Sequence, residues 1–171
     1  MTLANYLYAL VYSDMYDETK WQNWAINILK GAPYDDDTEW LYEVALATSK
    51  QRLFEVIAER RYNENYFAFN YFVLTEIIQG YYFCQYLNRK ISLYEMLEKS
   101  GDVADAGQDS QGCEFFYGLL NEIDKVPDIT NSAGFIKIIS DYYRGLYVAA
   151  MEQKGMLESA TIEDIKLQES L

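Results

Sequence analysis

Phe135-Ile136-Lys137-Ile138-Ile139-Ser140-Asp141-Tyr142-Tyr143-Arg144-Gly145-Leu146 can be read two ways, and the choice decides the fold class. Ile136, Ile138 and Ile139 are β-branched, which makes Phe135–Ile139 the best strand candidate in the chain. Yet Phe135, Ile138, Ile139, Tyr142, Tyr143 and Leu146 recur at the 3.6-residue period of an amphipathic helix. The helical period covers the whole segment, so a helix is expected from Ser132 to Lys154. No other stretch alternates at period two for long enough to argue for a sheet.

The same period runs through the rest of the chain. Trp21, Trp24, Ala25, Ile28 and Leu29 mark a helix from Glu18 to Lys30, with Gly31 as its C-terminal stop. A short apolar helix is expected over Leu3–Tyr12 behind Thr2. Another spans Thr38–Ala47, capped by Asp37 or Thr38, and a further one follows Ser49 with Leu53, Phe54, Val56, Ile57 and Tyr62 on its apolar side. Asn65–Asn88 is apolar on nearly every face, the mark of a helix at the centre of a fold. Ser92-Leu93-Tyr94-Glu95 is a capping box, in which each partner satisfies a backbone donor of the other. Its helix should end near Ser100-Gly101. Asp102–Gly112 lacks bulky residues apart from Val103 and reads as a loop. Helices resume over Cys113–Lys125 and over Thr161–Glu169, where Thr161 and Asp164 form a variant capping box. Pro33 and Pro127, the only prolines, fall between elements. The expectation is a single all-α domain over residues 1–171, with about eight helices. Short connections would allow antiparallel helix pairs to stack, although no repeated motif runs through the sequence.

Composition restricts the chemistry. The 171 residues include no histidine, which excludes Ser-His-Asp and Cys-His catalysis and the histidine-containing metal sites. Acidic residues outnumber basic ones 27 to 14, giving a formal charge of −13. Such a field repels a polyanion, so direct nucleic-acid binding is not expected. The one dense basic stretch, Lys50–Arg61, also carries Glu55 and Glu59 and reads as a solvated helix face. Cys84 and Cys113 sit among aromatic residues as small hydrophobes, with their pairing left open. The first residues lack a basic region followed by a small-residue cleavage site. The longest apolar stretch, Tyr66–Leu87, is interrupted by Asn70, Glu76, Gln79 and Gln85. A cytoplasmic protein that avoids membranes is therefore expected.

Two acidic regions are candidates for function. In Ala32–Ala47, Asp35, Asp36, Asp37, Glu39 and Glu43 alternate with Tyr34, Trp40 and Tyr42, with no basic residue between them. From Glu95 to Asp128, Glu95, Glu98, Asp102, Asp105, Asp109, Glu114, Glu122, Asp124 and Asp128 face only Lys99 and Lys125. Acids can steer a basic protein while aromatic residues supply affinity. On this basis the expected contacts are Asp35, Asp36, Asp37, Glu39 and Trp40 on one edge and Asp102, Asp105 and Asp109 on the other. N-caps and solubilising charge would account for the same residues without a partner, in an all-α scaffold.

An acidic, histidine-free helical chain carrying Tyr34-Asp35-Asp36-Asp37-Thr38-Glu39-Trp40 resembles the immunity proteins of bacterial polymorphic-toxin and contact-dependent inhibition systems. The resemblance implies a non-enzymatic protein, without a cofactor, that binds and occludes a basic toxin domain. Glu95, Glu98, Asp102 and Asp105 suggest an alternative. All-helical nucleotide pyrophosphohydrolases hold Mg²⁺ between two acids on one helix and two on the next. Here the second pair follows at once instead of lying on a separate helix.

Overall fold

The computed structural model describes residues 2–63 and 71–169, with side chains over 2–60 and 73–165. Among the described residues it is all helix: α1 (Leu3–Tyr12), α2 (Glu18–Leu29), α3 (Glu39–Leu46), α4 (Lys50–Asn63), α5 (Tyr71–Leu87), α6 (Leu93–Ala106), α7 (Ser110–Lys125), a 3-10 turn (Pro127–Asn131), α8 (Ala133–Glu158) and α9 (Ile162–Glu169). Phe135, Ile139 and Tyr143 are buried on α8 while Ile138 faces solvent, so the helical period prevails over β-propensity in that segment. The expected helix over Asn65–Asn88 is seen from Tyr71 onward, and its part before 71 lies outside the described residues.

The helices form two compact units, one from residues 2–63 and 153–169, the other from residues 71–152. In the first, Leu7, Leu10, Trp21, Trp24, Leu41, Val44, Leu53, Ile57 and Leu157 make the core. Two indoles are anchored by their polar edges: Trp21 Nε1 donates to the Ala47 carbonyl at 3.0 Å and Trp24 Nε1 to the Leu157 carbonyl at 2.9 Å. A buried N–H would be costly without such a partner. Gly31 takes φ +83° after α2, the left-handed stop its position predicts. The basic stretch on α4 is a paired helix face, with Lys50 bridged to Asp14 and Arg52 to both Glu43 and Glu55.

The second unit is built around α5, where Ile77–Gln85 is buried without interruption. This is the all-round burial that its composition calls for. Tyr143 of α8 stacks on Phe83 with ring centroids 4.9 Å apart, and its hydroxyl donates to Ser100 Oγ of α6 at 2.6 Å. At Gly80, α5 and α8 meet backbone to backbone: a Cβ there would lie 2.3 Å from the Leu146 carbonyl oxygen. Cys84 is buried, Cys113 half-buried, and both are free thiols.

One expected boundary is wrong. The helix begun at Ser92 does not stop at Gly101 but continues to Ala106, and α7 starts at Ser110, so the loop read over Asp102–Gly112 shrinks to three residues. The missing bulk has another cause. A Cβ on Gly101 would lie 2.9 Å from the Tyr117 ring, and one on Gly112 would lie 3.2 Å from Ala104 Cβ and closer still to Asp109. These positions are small because α6 and α7 pack closely. Chain reversal occurs at Gly107–Asp109, with Gln108 at φ 59° and Asp109 capping α7 by accepting from the Gly112 N–H at 3.0 Å.

Candidate functional site

The first acidic edge belongs to the unit containing α1–α4. Thr38 organises it: its hydroxyl accepts from the Asp35 N–H at 3.0 Å and donates to the Pro33 carbonyl at 3.0 Å, while Asp35 Oδ1 accepts from the Thr38 N–H at 3.1 Å. The Asp35 carboxylate is thus turned inward as a cap for the turn leading into α3. Asp36 and Glu39 are exposed and Asp37 is half-buried. Trp40 is not an exposed anchor. At 8% exposure it is buried against Trp24, with the Arg60 guanidinium 5.7 Å from its ring centroid. The apolar period of α3, which also buries Leu41 and Val44, draws the indole into the core. The exposed aromatic residue is Tyr34, at 67%. Its ring lies 5.1 Å from that of Tyr42, and its hydroxyl donates to Glu39 Oε1 at 3.1 Å. That bond, with the charges of Glu39, Glu43 and Asp36, raises the phenol pKa above its ordinary value.

The second acidic region belongs to the other unit and is a face of the α6–α7 pair. Tyr94, Glu98, Asp102 and Asp105 follow one another at i, i+4, i+8 and i+11 along α6, on a single stripe. From α7, Tyr117 donates its hydroxyl to Asp102 Oδ1 at 3.0 Å. Burial, with Asp102 and Asp105 close by, pushes the Tyr117 phenol up to about 12. At the opposite end of the pair the charge of Asp124 on α7, with partial burial and Glu98, raises the Tyr94 phenol. A tyrosine near the start of α6 therefore faces an acid near the end of α7, while a tyrosine of α7 faces an acid further along α6. The helices are antiparallel, and their shared face alternates phenols with carboxylates. Tyr94 and Tyr117 remain 40% and 42% exposed.

Asp109 does not join this stripe as a free carboxylate, because it is spent on the α7 cap. It lies near Glu76 of α5, whose pKa is raised first by burial and then by the Asp109 charge. None of Asp36, Asp37, Glu39, Glu98, Asp102, Asp105 and Asp124 has a Lys or Arg partner at ion-pair distance among the described residues, whereas Asp14, Glu43, Glu55, Asp141 and Glu158 do. Among the described residues, internal pairing leaves these two sets of carboxylates without a basic partner.

The four acids of the metal alternative do not form a ligand set. Glu95, Glu98, Asp102 and Asp105 all lie on α6, and the ten helical steps from first to last span about 15 Å. Glu95 accepts from the Ser92 N–H at 2.7 Å, and this capping role holds its pKa below the usual value. Among the described residues no three Asp, Glu or Cys side chains converge as metal ligands. Nor is any described helix long and apolar enough to cross a membrane.

No family model, curated protein or solved structure matches the chain.

Sequence reasoning passed over Tyr94 and Tyr117. The i, i+4 spacing Tyr94–Glu98–Asp102 marks Tyr94, but reading Asp102–Gly112 as a loop cuts that stripe in half, and Tyr117 reaches it only through the packing of α7 on α6.

Proposed function

We propose that this protein is a non-enzymatic binding module for a basic protein partner, acting in the cytoplasm as an immunity protein that occludes a toxin domain. The observation that carries this reading is the α6–α7 face, where Glu98, Asp102, Asp105 and Asp124 have no Lys or Arg at ion-pair distance among the described residues and flank two partly exposed tyrosines. Carboxylates on rigid helices attract a basic surface at long range, and tyrosines held by hydrogen bonds lose little entropy when they are covered. The partner's Lys and Arg residues, engaged here, are then withheld from phosphate. Tyr34, Asp36 and Glu39 form a second edge of the same character, with Tyr34 in the anchoring role first expected of Trp40.

The test looks for a toxin domain encoded in a neighbouring reading frame and pairs the protein with it. The triple variant Asp102→Lys, Asp105→Lys, Asp124→Lys should keep its helical circular dichroism and lose protection of toxin-expressing cells. Its affinity should fall at least tenfold, about 1.4 kcal/mol. The parent's association rate should fall steeply between low and physiological salt. A folded triple variant that protects as well as the parent would overturn the assignment of this face. Protection by neither protein, with no binding, would overturn the immunity reading itself.

A further inference from the structure

We draw no further inference here: the strongest candidate, the solvent-facing stripe of α8 formed by Gly134, Ile138, Gly145 and Val148, is an open helix face, and nothing in the structure shows what covers it.

Discussion

Gly80→Ala should destabilise the protein although alanine is the better helix former. The added Cβ would meet the Leu146 carbonyl oxygen at 2.3 Å, the Leu146 carbonyl carbon at 2.7 Å and Ala150 Cβ at 2.8 Å. Two of the three are backbone atoms, so no side-chain rotation relieves the clash. Restoring an ordinary carbon–oxygen contact of about 3.3 Å requires α5 and α8 to separate by about 1 Å at their crossing. Overpacking of this kind costs about 1–3 kcal/mol, against a helix-propensity gain of about 1 kcal/mol. The expected net loss is up to about 2 kcal/mol. Gly145→Ala on α8 is the control, since a Cβ there meets nothing within 4 Å. It should gain about 0.5–1 kcal/mol. Urea unfolding followed by circular dichroism would measure both, with the midpoints moving in opposite directions at constant m-value. For a chain of this length each kcal/mol corresponds to roughly 2–4 °C in Tm. If Gly80→Ala proves as stable as Gly145→Ala, the close approach of α5 and α8 is wrong.

Three further outcomes follow from the same structure. Glu76→Gln should stabilise the protein at pH 7 and have little effect at pH 4. The folded-state pKa of Glu76 is raised by burial and by Asp109, so its favourable contribution is complete below the unfolded-state value and disappears as pH rises through the folded-state value. Equal midpoint shifts at both pH values would show that charge is not the cause. Ser92→Ala removes the oxygen that accepts from the Glu95 N–H at 3.1 Å and should cost about 1 kcal/mol in thermal unfolding, with Ser92→Asp recovering most of it. An unchanged Tm for Ser92→Ala would mean the box adds nothing to the fold. Tyr117→Phe leaves Asp102 without its phenol donor; on the proposed function it should weaken partner binding more than it lowers Tm, and a loss of Tm alone would assign Tyr117 a purely structural role.

The sequence revealed most where burial is one-sided and periodic. Trp21, Trp24, Ala25 and Ile28 share one face, and their burial follows directly from spacing. The Ser92 and Thr161 start signals also hold, because a cap is a local contact between residues three apart: Glu95 closes on Ser92, and Asp164 accepts from both the Thr161 N–H and its hydroxyl at 2.8 Å. The reading failed where small residues carried the information. Gly101 and Gly112 punctuate a sequence as loop residues do, yet Gly112 makes room for the Asp109 carboxylate that caps α7, and Gly101 for Tyr117 of a partner helix invisible in the local pattern. Trp40 shows the same limit for sites: its acidic neighbours suggested the surface, while contacts with the distant Trp24 and Arg60 place it inside. One division between the two units falls within α8, a helix that runs unbroken across it.

The hydrogen bond from Trp24 to Leu157 also sets an order of events during synthesis. It joins residues 133 apart, and Tyr16 reaches Glu158 across 142. Closing a loop of that length costs about 2 kcal/mol more than closing one of ten residues. At ribosomal rates, Leu157 emerges on the order of ten seconds after Trp24. Throughout that interval α1 to α4 lack the buried leucine that completes their core, and the Trp24 indole lacks the carbonyl to which it donates. α1 to α4 are therefore among the last elements to close, and the nascent chain is most prone to aggregate before the end of α8 has been made.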